Sequence, residues 1–181
     1  MATECKFKNG MQVFSSTPQM ISAGGNVTSN QVLVSSATET AMLSETIYAN
    51  TLDATSMCFR VWLAGEISGD AAKTLTLTLR YGTTDILALA TGALAANNDE
   101  PFKCEFTGHI LTAGASGFIV ATAFAEFCQT TATLRYATDT ANTGTAVTLT
   151  ADGSLNVTAH WSGAAATADI NVTHGWIEFY N

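Results

Sequence analysis

The stretch Lys73 to Gly92, KTLTLTLRYGTTDILALATG, limits the fold of this chain more than any other. Leu75, Leu77, Leu79 and Tyr81 alternate with Thr74, Thr76, Thr78 and Arg80. A strict period of two over this many residues predicts a strand with one buried face and one wet face. Gly82, Thr83 and Thr84 follow as a tight corner, because glycine reaches the positive φ that such turns need. Ile86 to Ala90 then resumes as a second extended run. A helix cannot satisfy this pattern, since its apolar positions recur at three and four residues.

The remainder repeats the same scheme. Strands are expected at Ala41–Tyr48, Ser56–Ile67, Phe102–Leu111, Phe118–Cys128, Ser154–Trp161 and Ile170–Tyr180, with Gly69-Asp70, Asn97–Pro101 and Gly163–Ala168 as turns. Ala132–Tyr136 either extends its predecessor or stands alone, Thr138–Gly144 is expected as a loop, and a short strand is possible at Ala146–Thr150. The Ala-rich windows are too short for stable helices. Eight principal strands predict an all-β fold, a single jelly-roll-like antiparallel β-sandwich over residues 36–181. A jelly roll requires the chain to cross between sheets at Gly82. A flat hairpin there favours an immunoglobulin-like or other meander sandwich.

Residues 1–35 read differently. They are rich in Gln, Ser, Asn and Gly, hold neither period, and are interrupted by Pro18 and Gly24-Gly25, with Val32–Val34 as a possible short strand. Yet they carry Phe7, Met11, Val13, Phe14, Met20 and Ile21, which a solvated tail would not need. This is expected to be an extended N-terminal arm lying against its own sandwich or against a neighbouring subunit.

Charge narrows the partners. Charged residues make up 12% of the chain, against about 25% in an average soluble protein. The 15 acidic residues outnumber the 7 Lys and Arg. That balance argues against nucleic acid, which needs a basic face, and against anionic membrane. No run approaches the roughly 18 apolar residues of a spanning helix. Met1–Gly10 is mixed and polar, unlike a secretory leader. Cys5, Cys58, Cys104 and Cys128 are widely spaced without a C-x-x-C pair, so reduced thiols in a cytoplasmic product are expected, with Cys58 and Cys128 as small buried hydrophobes.

Catalytic patterns are sparse. His109, His160 and His174 each fall in strand-like runs; His160 and His174 could face each other if the last two strands were neighbours. There is no H-x-H, H-E-x-x-H or G-x-S-x-G spacing and no phosphate loop. Glu100 and Glu105 are candidate acids, and Asn97, Asn98, Asp99 and Glu100 could offer oxygens to calcium, though a solvated turn explains them as well. The expectation is no enzyme, no cofactor and no metal. Three Asn-Val-Thr sequons begin at Asn26, Asn156 and Asn171; without a leader they are not expected to carry glycan. Trp161 shares parity with Leu155 and Val157 and is expected inside. Trp62 is opposite in parity to Phe59, Val61 and Leu63, so it is expected to look outward as an interface residue ahead of a sugar platform.

Several stretches carry a resemblance. Ser35-Ser36-Ala37-Thr38-Glu39-Thr40 leads into a strand ending Tyr48-Ala49-Asn50-Thr51-Leu52; Leu75 to Thr84 reads LTLTLRYGTT; Leu155-Asn156-Val157-Thr158-Ala159-His160-Trp161 precedes the last strand. From Val34 onward the chain resembles a diffuse family of tailed-bacteriophage virion proteins. That resemblance implies a single jelly-roll domain, often a homotrimer, serving as a capsid decoration (cement) protein, head fibre or tail-fibre tip. It implies the major capsid protein as partner, the capsid surface as location and assembly in the host bacterial cytoplasm. Residues 1–33 lie outside the resemblance and would hold the attachment function. The expected function is therefore a non-enzymatic capsid decoration protein, with a receptor-binding fibre module that recognises host-surface glycans as the alternative. A secreted carbohydrate-binding or esterase-like sandwich is disfavoured by the missing leader and nucleophile.

Overall fold

The alternation at Lys73–Gly92 becomes two neighbouring strands of one sheet. A computed structural model describes residues 5–6, 11–13, 31–34, 36–52, 55, 57–96, 99–130, 133–164 and 167–180. The strands are β1 (Cys5–Lys6), β2 (Met11–Val13), β3 (Gln31–Val34), β4 (Thr40–Ile47), β5 (Cys58–Ser68), β6 (Thr74–Tyr81), β7 (Thr84–Ala93), β8 (Glu100–Thr112), β9 (Gly117–Thr130), β10 (Thr133–Val147), β11 (Gly153–Trp161) and β12 (Asp169–Tyr180). Every pairing among them is antiparallel. The large sheet runs β1-β2-β12-β5-β8-β9-β10, with β3 also on β12, and the small sheet runs β4-β11-β6-β7. The two form the expected all-β antiparallel sandwich.

The core lies between the sheets, where the period-two faces meet. Phe59, Val61 and Leu63 of β5 and Cys104, Phe106 and Ile110 of β8 point inward from the large sheet. Leu75, Leu77 and Leu79 of β6 and Val157, Ala159 and Trp161 of β11 close from the small one. Trp161 is fully buried, as its parity predicts. Strand β9 offers Ala121, Ala123 and Ala125 to the inside. Gly108 faces the Phe59 ring so closely that an added Cβ would meet Cζ at 2.3 Å. Small residues thus sit where large rings need room, as dense interior packing demands.

Three expectations change. Gly82 does not carry the chain between sheets. Tyr81 pairs with Thr84 around the two-residue loop Gly82-Thr83, with φ of 60° at Gly82, and β6 and β7 are neighbours in the small sheet. Two residues cannot bridge the ~10 Å between stacked sheets, but they close a hairpin whose primed turn needs positive φ. The Gly82 amide also donates to Ser154 O at 2.7 Å, tying this corner to β11. At this corner the topology is a hairpin sandwich rather than a jelly-roll crossing.

The second change is Thr138–Gly144, expected as a loop. It lies inside the 15-residue strand β10, which pairs regularly with β9 from Leu134↔Cys128 to Ala141↔Ala121 and resumes at Thr145↔Ile119 after a bulge. On an outer strand of a sheet the wet face needs no apolar residues, and Thr suits extended backbone. The third concerns His160 and His174, which lie in β11 and β12, strands of different sheets, and are not neighbours.

Candidate interaction face

The outer face of the large sheet carries an aromatic and charged array that its registers lay out in rungs. One rung is Trp176, Trp62, Glu105, Phe124 and Thr138, from β12 across to β10. On one side of it runs Glu178, Arg60, Thr107, Thr122 and Thr140. On the other lie His174, Ala64, Lys103, Glu126 and Tyr136. These residues share a face because strand side chains alternate, so one parity from each strand forms one surface.

Trp62 points outward from β5 and is half-buried. It stacks on Trp176 with ring centroids 4.1 Å apart and planes 25° apart. That separation is shorter than the spacing between neighbouring strands, so each indole gives one face to the other. Phe124 and Tyr136 are tilted rings 5.6 Å apart, and they are 39% and 59% exposed. Ion pairs lie among the rings: Arg60 Nη2 is 2.5 Å from Glu105 Oε2, and Lys103 Nζ is 2.5 Å from Glu126 Oε2. The Glu126 carboxylate accepts a hydrogen bond from Lys103 and holds that ammonium above lysine's ordinary range. Two shallow grooves indent the face. One of about 590 Å³ lies beside Trp62, Lys103, Glu126, Leu134 and His174. The other, of about 360 Å³, is lined by Cys58, His109, Leu111, Val120 and Thr140.

Trp176 reaches this face through a bulge. Val172 pairs with Gly65 and His174 with Ala64, so Thr173 is an extra residue on β12. The insertion reverses parity: Ile170 and Val172 point inward before it, Phe179 after it. Gly65 makes room, since a Cβ there would lie 1.9 Å from Asn171 O. Sequence parity locates Trp62 but misses Trp176. The signal that could have found it is the odd offset between the pairs Ile170/Val172 and Ile177/Phe179, which a continuous alternation cannot contain.

The other sequence candidates fall as follows. Met11 and Val13 lie in β2, whose backbone pairs with β1 and with β12. Phe7, Phe14, Met20 and Ile21 lie outside the described residues. Glu105 is engaged by Arg60. Asn97 and Asn98 are outside the described residues, and Asp99 exchanges hydrogen bonds with Ser68, its amide donating to Oγ at 3.0 Å and its carboxylate accepting at 3.2 Å. Among the described residues no three His, Cys, Asp or Glu side chains gather as a metal would require. Cys58, Cys104 and Cys128 are thiols. Cys104, not Cys58 or Cys128, is the fully buried one, because it alone has inner parity, and burial pushes its thiol well up.

No protein-family model matches this sequence, and no curated protein does. Among solved structures, the chain is similar to the CBM2 module of Lactobacillus casei BL23 phage J-1 evolved Dit, at 12% identity and TM-score 0.39, over 84% of this chain and 75% of that one. It is also similar to infectious bursal disease virus Gt strain, at 10% identity and TM-score 0.36, over 97% of this chain and 41% of that one. A further similarity is to the Gx strain of the same virus, at 13% identity and TM-score 0.30, over 98% and 40%.

Proposed function

We propose that this is a non-enzymatic phage virion protein, a capsid decoration (cement) protein that binds the outer shell and stabilises it, with the aromatic face of the large sheet as a contact surface. The observation that carries this is the Trp62–Trp176 stack beside the exposed Phe124–Tyr136 pair on one open sheet face. Buried aromatic anchors ringed by charged pairs are the composition of protein–protein hot spots. The sequence resemblance to phage virion proteins supplies the partner, the major capsid protein, and the location, the capsid surface. Homotrimeric assembly is part of the same proposal. The arm residues Phe7, Met11, Val13, Phe14, Met20 and Ile21 complete it as a second contact.

The test is co-sedimentation of the purified full chain with heads of the source phage assembled without it. Wild-type protein is expected to bind, and the double variant Trp62→Ala/Phe124→Ala to bind at least about thirtyfold more weakly, the loss of a hot spot of roughly 2 kcal/mol. Absence of wild-type binding, or equal binding by the variant, refutes it. One observation favours a second reading, a receptor-binding fibre module for host-surface glycans: the groove beside Trp62 combines an indole with Lys103, Glu126 and His174. Against it stands the stack itself, because an indole covered by another indole has given up one of the faces on which a sugar ring would lie. Glycan-array hits that Trp62→Ala abolishes would replace the first reading with the second.

A further inference from the structure

The large sheet has two edges, and they are treated differently. Along β12 the edge is occupied: β3 pairs with Asp169–Val172 and β2 with Phe179 and Tyr180. Beyond β10 no strand follows among the described residues. Its regular run, Leu134 to Ala141, reads LRYATDTA, with no proline or lysine. Its two charges, Arg135 and Asp139, are opposite in sign and lie opposite the inward residues Phe127 and Ala123, so they oppose mismatched pairing and admit a strand that matches them. Natural proteins blunt open edges with such residues or cover them. Here the edge is extended and bears Leu134 and Tyr136, both exposed.

The orientation of the edge is readable. The Thr140 amide donates to the Asp139 carboxylate at 2.7 Å, so it is not spent on β9. Backbone groups alternate along a strand, and the even residues 134 to 140 therefore direct N–H and C=O away from the sheet. The two charges of this run, Arg135 and Asp139, lie at equal distances on either side of Ala137.

We infer that β10 is a pairing edge for a second copy of this chain, antiparallel about a two-fold axis at Ala137. In that register Tyr136 and Thr138 of opposite copies exchange N–H···O bonds in both directions, and Leu134 and Thr140 do so once the Thr140 amide gives up its bond to its own Asp139 carboxylate. Arg135 faces Asp139 of the second copy, twice by symmetry, at a non-hydrogen-bonded position where side chains approach most closely. Shifting the centre to residue 135 or 139 sets like charges against each other. Shifting it by half a residue turns the aromatic faces of the two copies to opposite sides. Centres at residues 136 and 138 meet both conditions but leave Arg135 and Asp139 unmatched, so the Ala137 register alone opposes the two charges. It also brings the two Tyr136 rings into diagonal contact, so the outer aromatic face runs unbroken across the pair. Such an isologous contact closes at two copies, whereas a three-fold ring needs a different, heterologous surface. Nothing in this pairing depends on binding to a capsid.

The experiment is sedimentation velocity and light-scattering mass on the full-length chain over a concentration series. Wild type is expected to show a reversible doubling of mass with concentration, monomer to dimer, or trimer to hexamer where the homotrimer of the proposed function forms. Arg135→Glu alone and Asp139→Arg alone each convert both cross-copy pairs into like charges, and each is expected to raise the dissociation constant about tenfold. The double exchange, R135E with D139R, is expected to restore wild-type association. Thr138→Pro removes an outward amide while leaving the β9 ladder intact, and it is expected to abolish the doubling with unchanged circular dichroism. A wild type whose mass does not double, a doubling indifferent to these variants, or a double exchange that fails to rescue overturns the inference. Should Thr138→Pro fail to fold, the charge exchange alone decides.

Discussion

Gly65→Ala is the sharpest probe of how this sandwich presents Trp176. The Cβ it adds would lie 1.9 Å from Asn171 O, 3.0 Å from Asn171 C and 3.1 Å from Thr173 N. Ordinary carbon contacts sit at about 3.5–4.0 Å. All three obstructing atoms are backbone, at the bulge that turns Trp176 outward, so no side-chain rotation relieves the overlap. Either β12 moves away from β5, losing ladder bonds, or the bulge relaxes and the parity of Trp176 is disturbed. Overpacking typically costs about 1–3 kcal/mol. A backbone obstruction belongs at the top of that range, about 3 kcal/mol. For a chain of this size each kcal/mol shifts the melting temperature by about 2–4 °C, so a fall of roughly 6–12 °C is expected.

Thermal denaturation followed by far-ultraviolet circular dichroism measures the stability, and near-ultraviolet circular dichroism reports the packing of the Trp62–Trp176 pair. Both signals should change. A variant that melts within about 2 °C of wild type, with the tryptophan spectrum intact, would show that β12 does not pass this close to Gly65. Trp176 would then have to reach the outer face by some route other than this bulge.

Gly82→Ala isolates the other use of glycine: nothing lies within 4 Å of the position a Cβ would take, but φ is 60°. The cost is conformational alone, about 1 kcal/mol or a 2–4 °C fall in thermal denaturation, and a fall as large as that of Gly65→Ala would refute the distinction. A pH effect is expected from Glu45 and Asp169, whose carboxyls are both raised, chiefly by burial, above ordinary values of 4.5 and 3.8. A raised carboxyl binds its proton more tightly when folded, so its contribution to stability falls as pH climbs from the ordinary value through the raised one. Asp169→Asn should flatten the melting-temperature profile across that window, and an unchanged slope would count against burial as the cause.

Strands β5, β6, β8 and β9 are legible in the sequence because each buries one face and wets the other, so the alternation of Phe59, Val61 and Leu63 with Arg60 and Trp62 has a single physical cause. Outward parity for Trp62 follows from the same pattern. What local pattern cannot show is which strands meet. Strand β11 lies between β4 and β6, and β7 remains beside β6, because those choices depend on contacts far apart in sequence. Strand β10 is hidden for a different reason: residues 134–141 have no outer strand neighbour among the described residues and one exposed face, so little there calls for core residues. Trp176 is hidden by one inserted residue, Thr173, which breaks the period on which parity depends.

The remaining edges of the sandwich single out β10 more sharply than its composition alone. The small sheet ends in β4 and β7. Edge β7 is approached by the far end of β10, where the Thr145 hydroxyl donates to Ile86 O at 3.4 Å. The β12 edge of the large sheet is filled by β2 and β3 from the N-terminal segment. That leaves two ladders open on one side among the described strands, β4 in the small sheet and residues 134–141 in the large one, and the proposed pairing is at the second. It is also the strand that borders the aromatic face, through Tyr136 against Phe124. A second copy added there would place two such faces side by side on one surface. A partner engaging both would meet the second at a high effective concentration, so weak individual contacts would suffice for tight attachment. Under the proposed pairing, an open edge beside a contact face would have a function that an edge alone does not: it would couple pairing of the protein to the strength with which it holds a repeating surface.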